Sequence, residues 1–488
     1  MEKRWILLTN HYEGIEKNAI NMLYAEISGH IQYVLPIKST HSVTEKELTE
    51  SNVIIVGKAD TNHLIEDCQN RKIIQIPQKN EGYSVYVGDS IFCDENQMIV
   101  ISGYGAPGVL YGCMDFCNKY LGDIIYANKD IWTDETYDKP FDNRLNPWLI
   151  NTAPAIKRRA VWTWGHVIYD YRNFFKNMAK LRLNEIVIWN DIAPLNAKEV
   201  VEYAHSLNIK VIWGFSWGWG VSCKDILEKY DKQIQEELKK HVIEVYENEY
   251  AQTGCDGIYF QSFTELQNDY VNGKCIAELV TELVNDVAES LLDKYPDLQI
   301  QFGLHATSVR NKLEYIKNVD KRIHIVWEDC GSFPYDYYAD NVKDFEKTLD
   351  FTEIVLRLRG DSEKWGAVLK GMLKLDWLKF EHFSAPYILG ERTDHYIRQR
   401  QTKKDRIWKL QQAGWIKNAE YVRHIIEIVA KYGKEDAVVQ ALVEDAMFEN
   451  QIAFPVAVYA EMLWTPDRDS IEMIGQVSKY LSVNYSNV

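Results

Sequence analysis

The sequence predicts an α/β protein built on a (β/α)8 TIM barrel, with a small α/β domain before it and a helical C-terminal region after it. Three observations carry that reading. Short β-rich apolar runs recur from about residue 157, separated by helical stretches, and alternation of this kind implies parallel pairing. Eight such units fit into roughly 230 residues, the economy of a closed barrel. At 488 residues the chain is also too long for one ordinary domain.

Taken in order, residues 1–127 are expected to form the accessory α/β domain. Apolar runs at 5–8, 31–37, 52–57, 72–77, 83–87 and 98–102 read as strands. A helix is expected over 109–121, with Pro107 near its start. Residues 128–150 are polar, turn-rich and non-periodic, which predicts a linker. The barrel is expected over 151–394. Its strands are read at 159–164, 185–190, 210–215, 256–262, 299–305, 322–328, 353–358 and 378–384. Residues 395–488 read as the helical C-terminal region, with apolar positions Ile407, Leu410, Trp415, Ala419 and Val422 and a stop at Gly433.

Gly103, Gly105 and Gly108 spell G-x-G-x-x-G after a strand-like run. A dinucleotide fingerprint opens the first βα unit of its domain and has an acidic residue at a strand end about 20 residues on. Here the glycines come last in the domain, Asp130 lies in the expected linker, and Pro107 removes a backbone donor. The stretch therefore predicts a tight strand-to-helix turn, and no cofactor is expected.

Composition bounds the partners. Hydrophobic residues make up 46% and charged residues 26% of the chain, as in a globular protein with a large core. A formal net charge of −16 argues against nucleic acid or an anionic membrane as the main partner. None of the eight Cys forms C-x-x-C, and the His residues show no zinc-ligand spacing, so no metal is expected. Cys113 and Cys117, one helical turn apart, read as buried thiols. The first apolar run is too short for a signal peptide, and no membrane-length run follows, so a cytoplasmic location is the expectation. Pairing with further copies of the chain is left open.

Reacting groups of such a barrel sit at the C-terminal ends of its strands. The fourth run ends at Glu265, behind aromatic residues that suit a general acid, because apolar surroundings favour the protonated carboxyl. The sixth ends in Glu328 and Asp329; successive side chains on a strand point to opposite faces, so one of the two is expected in the pocket. Trp162, Trp164, Trp189, Trp217, Trp219 and Tyr259 crowd the same ends, together with His166, Asn190, Asp191 and His305. Tryptophan among Asn, Asp and His is what a sugar site uses, the ring stacking on the sugar and the others bonding its hydroxyls. Glu381 and His382 are weaker candidates on the eighth run. Arg357 and Arg359, of one parity on the seventh, could grip a ligand carboxylate.

Three segments carry a family resemblance: GVLYG (108–112) with its following helix, DGIYFQSFTE (256–265), and the tail segment Val458 to Asp467 with Leu463, Trp464 and Pro466. In this order they resemble α-glucuronidases (glycoside hydrolase family 67) and the related β-N-acetylhexosaminidases. The resemblance implies an exo-acting glycosidase, with Glu265 as the acid and the base on the sixth strand, Glu328 or Asp329. Thr264 precedes Glu265 where β-N-acetylhexosaminidases carry an Asp, which speaks against their substrate-assisted mechanism. The expected function is removal of a terminal sugar, a uronic acid being one option, from a small oligosaccharide or glycoside. The alternatives are a catalytically inactive carbohydrate-binding barrel and a barrel enzyme of another class.

Overall fold

The computed structural model describes residues 3–127, 140–190, 192–217, 230–265, 269–328, 345–360, 364–369, 386–434, 436–443, 447–450 and 454–481. The accessory domain is a six-stranded sheet of β1 (Trp5–Leu8), β2 (Ile37–Lys38), β3 (Asn52–Gly57), β4 (Tyr83–Asp89), β5 (Gln97–Gly103) and β6 (Trp148–Thr152), in the order β2-β1-β3-β5-β4-β6. The first four of that order run parallel; β4 is antiparallel to both β5 and β6. The strand expected at 72–77 does not form. Ile74 and Ile76 are buried, which supplied the alternation, but the segment joins no ladder. At 31–37 only the last residue pairs, and β6 comes from the end of the expected linker.

The glycine-rich turn is a close-packing device. A Cβ on Gly103 would lie 2.2 Å from the Val109 nitrogen, and one on Gly108 would lie 2.4 Å from the Gly82 carbonyl oxygen. The following helix, Ala106–Asp115, therefore docks directly on the sheet.

The second sheet is a closed parallel barrel. Its strands are β7 (Arg158–Trp164), β8 (Glu185–Trp189), β9 (Lys210–Ser216), β10 (Gly257–Gln261), β13 (Gln299–His305), β14 (His324–Glu328), β15 (Trp365–Leu369) and β16 (Val438–Leu442). A short hairpin, β11 (Tyr270–Val271) and β12 (Lys274–Cys275), sits between β10 and β13. β16 pairs with β7 and closes the ring.

Six strands stand where the sequence placed them, and the seventh does not. The seventh run, 353–358, is the end of the helix Phe345–Leu356, which buries Thr348, Phe351, Thr352 and Val355 at helical spacing. The strand that follows it is β15. The run expected as the eighth strand, 378–384, lies outside the described residues. The strand closing the ring, β16, comes from the segment read as C-terminal helices, after the helices Asp394–Lys417 and Ala419–Tyr432.

The barrel interior is layered. Its amino-terminal end is polar. Arg158 donates to both oxygens of Glu185 (2.8 and 2.9 Å), Gln301 donates to Glu185 (2.8 Å), and Gln440 donates to Gln301 (2.7 Å). His324 joins through Nε2, 2.5 Å from Arg158. Burial first, then Arg158, holds its basicity well below that of an ordinary histidine, so the neutral ring nitrogen accepts a hydrogen bond from the guanidinium. Above lies an apolar layer of Ala160, Val187, Ile212, Val326 and Val368.

Buried charges join the barrel to its flanking parts. Arg182 and Lys119 each bridge Asp115 and Glu461, with Asp115–Arg182 at 3.2 Å, Asp115–Lys119 at 3.1 Å and Lys119–Glu461 at 3.0 Å. Burial alone would raise the Glu461 carboxyl, but the two cations outweigh it and hold its pKa at about 2. The Trp464 ring covers the guanidinium of Arg182.

Candidate active site

The carboxyl ends of the strands gather the chemistry. Along β14, His324, Val326 and Glu328 share the inward parity, so Glu328 ends the strand facing the mouth. It is 4% exposed. Tyr259 on β10 and Gln261 at the end of that strand both donate to Glu328 Oε1. His305, the last residue of β13, places Nε2 2.8 Å from Oε2. Each partner has the inward parity of its own strand. The site also depends on a missing side chain. A Cβ on Gly303 would lie 2.0 Å from the Tyr259 hydroxyl and 2.9 Å from Glu328 Oε1.

An aromatic wall stands beside this carboxylate. The rings of Trp162 and Tyr259 meet edge to face at 5.8 Å, and Trp162 stacks near Trp189 at 6.1 Å. Trp164, at the end of β7, meets Trp162 edge-on at 4.8 Å, and His166 follows in the next turn, 6.3 Å from Trp164. Asn190, directly after β8, accepts a hydrogen bond from the Tyr387 hydroxyl through Oδ1. Its backbone carbonyl accepts one from Tyr250 (3.1 Å).

Tyr387 and Gln261 were not singled out from the sequence. Gln261 was legible as an inward position two residues beyond Tyr259. Tyr387 had no signal, because the segment carrying it is fixed only in three dimensions. Leu195 N–H donates to the Tyr387 carbonyl (2.8 Å), and Asn196 exchanges two hydrogen bonds with Leu389.

The backbone of Glu265 ends the short turn Phe263–Glu265 that follows β10, at the same face of the barrel; its side chain lies outside the described residues. Asp191, Trp219, Asp329, Glu381 and His382 lie outside them altogether.

Three expected site residues are elsewhere. Trp217 has the parity of Trp213 and Phe215, which point outward from β9. It stacks on Phe260 at 3.5 Å on the helix-facing side. Arg357 follows a helix end, exposed, and pairs with Glu353 four residues back (2.8 Å). Arg359 donates to the carbonyls of Asp320 (2.9 Å) and Ile323 (2.8 Å), at the amino-terminal end of β14, the opposite face from Glu328. Burial lowers its pKa to about 10, against the pull of Asp320. The arginine clamp for a ligand carboxylate therefore has no basis in these two residues. Among the described residues, no group of three or more His, Cys, Asp or Glu is placed to hold a metal ion, and no helix is long and apolar enough to cross a membrane.

No family model and no curated protein matches this chain. Solved structures do. The family 20 β-N-acetylhexosaminidase from Streptomyces coelicolor A3(2) matches with a TM-score of 0.52 at 11% identity, over 99% of this chain and 93% of that one. A glycoside hydrolase family 20 β-N-acetylglucosaminidase gives 0.49 at 10% identity, over 98% and 93%. CpGH84D gives 0.46 at 13% identity, over 75% of this chain and 56% of that one. At such identity the first likeness establishes the fold, a (β/α)8 barrel with an α/β domain ahead of it.

Proposed function

We propose that this protein is an exo-acting glycoside hydrolase working at the carboxyl end of its barrel. One observation carries the reading. A buried glutamate, Glu328, receives donors from Tyr259, Gln261 and His305 beneath a wall of Trp162, Trp164 and Trp189. A carboxylate held by several donors keeps a fixed position. Adjacent indole faces suit the apolar side of a sugar ring. The similar fold of a β-N-acetylhexosaminidase supports the assignment.

In this reading Glu265 protonates the glycosidic oxygen as the aglycone leaves with it, and a carboxylate at the end of β14 either takes the proton of the water that attacks the anomeric carbon or attacks that carbon itself. Glu328 is that carboxylate, with Asp329 as its neighbour in sequence. Carboxyl groups roughly 6.5–9.5 Å apart leave room for an attacking water and invert the anomer; about 5–5.5 Å means direct attack and retention. We favour inversion. An N-acetyl-assisted route is disfavoured, because Thr264 precedes Glu265. The uronic acid option has lost its arginines, so a neutral sugar is the better expectation.

The second reading, a sugar-binding barrel without catalysis, is favoured by the fact that both Glu328 oxygens already have protein partners. A panel of aryl glycosides, with products followed by NMR, separates the two: release of the aryl group supports hydrolysis, and saturable binding without release supports the alternative.

A further inference from the structure

A second cleft, of about 450 Å³, opens where the accessory domain meets the C-terminal helix Ser470–Tyr480. That volume is in the range of small-molecule sites, which favour boundaries between parts of a fold. Trp148, on β6, is half-buried on its wall, its ring packed at 5.5 Å on Tyr120. Tyr120 is itself fixed by donating to the Asn146 carbonyl (2.7 Å). The indole is therefore a preorganised platform.

The charges around it cancel. Lys119 lines the cleft, but its side chain is only 7% exposed and its ammonium is committed to Asp115 and Glu461. Of the remaining lining charges, Arg468 and Lys479 face Asp123 and Glu472. Lys479 pairs with Asp123 (3.0 Å), and Arg468 donates to Gln476 Oε1 (2.9 Å). A charged ligand gains no net attraction from such a lining. A neutral ring rich in hydroxyls gains a stacking face from Trp148, donors from Arg468 and Lys479, and acceptors from Glu472 and Asp123.

We infer that this cleft is an ancillary binding site for a neutral saccharide, separate from the barrel mouth. The inference rests on the cleft's own lining, so it stands or falls independently of hydrolysis in the barrel.

Calorimetric titration of the full chain with cellobiose, maltose and N,N′-diacetylchitobiose tests it, with glucuronic acid as the charged control. At least one neutral disaccharide should bind with a millimolar or tighter Kd. Trp148→Ala should weaken that binding at least tenfold, while Glu328→Gln leaves it unchanged. Should Trp148→Ala fail to fold, Arg468→Gln on the rim carries the same comparison, with at least threefold weakening expected. Absence of binding by all three sugars overturns the inference. So does binding abolished by Glu328→Gln and untouched by the cleft variants, or tighter binding of glucuronic acid.

Discussion

His305 and Glu328 stand side by side, paired in register on adjacent strands, with Nε2 2.8 Å from Oε2. Two residues 23 positions apart in sequence thus end neighbouring strands at one height and meet inside the barrel mouth. The proposed chemistry needs that charge at that place. Glu328→Gln keeps the shape and removes the charge, so the far-UV circular dichroism should be retained while turnover falls by about 10²–10⁴-fold. Steady-state kinetics on the best aryl glycoside checks it; turnover within a factor of two of the parent removes Glu328 from the reaction.

Gly303 should tolerate no side chain. Its Cβ would fall 2.0 Å from the Tyr259 hydroxyl, and both groups are buried. Gly303→Ala should cost about 1–3 kcal/mol by overpacking and also lower activity, because the hydroxyl leaves Glu328. Urea unfolding and turnover, measured on the same preparation, should fall together.

Glu461 should matter to stability more than any surface acid. Glu461→Gln leaves Arg182 and Lys119 with only Asp115 to answer them, and a loss of about 3–5 kcal/mol is expected. The carboxyl pKa is depressed, to about 2, against about 4.3 in an unfolded chain. Its contribution is therefore complete above about pH 4.3 and is lost as pH falls through the folded value. Parent and variant should converge in stability on acidification, as read by unfolding at a series of pH values.

His205 works in the opposite direction. The hydrogen bond that its Nε2–H donates to Asp256 (2.8 Å) raises its pKa, with burial opposing. A raised histidine stabilises the fold fully below the unfolded pKa of about 6.5, and the contribution disappears as pH rises through the folded value. The side chain is 42% exposed, so screening limits the effect to about 1 kcal/mol or less. His205→Gln should flatten the change in Tm between pH 6 and 8 (a window set by about 6.5).

The barrel was legible as far as its sixth strand, because those runs are bounded by turns and followed by clear helical stretches. The seventh failed on a specific ambiguity. Ile354, Leu356 and Leu358 alternate as a strand would, but Phe351 and Val355 recur as a helix does, and the helix wins by burying them. The real seventh and eighth strands are WGAVL and VVQAL; the first follows directly on the run mistaken for a strand, and the second lies within the segment read as helical. The site was partly legible by parity alone: once β14 and β10 are strands, Glu328 and Tyr259 must point inward. Parity also explains Trp217, which was grouped with the mouth by residue type although, directly after β9, it keeps the outward parity of Trp213 and Phe215. Tyr387 was not legible, since its partners Asn190 and Leu195 lie almost 200 residues earlier.

The central claim is that the carboxyl end of the barrel cleaves a glycosidic bond with Glu265 as acid. The direct measurement is aryl release from a panel of glycosides by the parent protein and by Glu265→Gln, with the variant's fold checked by Tm. The account predicts that at least one glycoside is cleaved and that Glu265→Gln lowers its turnover by about 10²-fold or more. Cleavage undiminished in Glu265→Gln, or no cleavage of any glycoside by the parent, contradicts it.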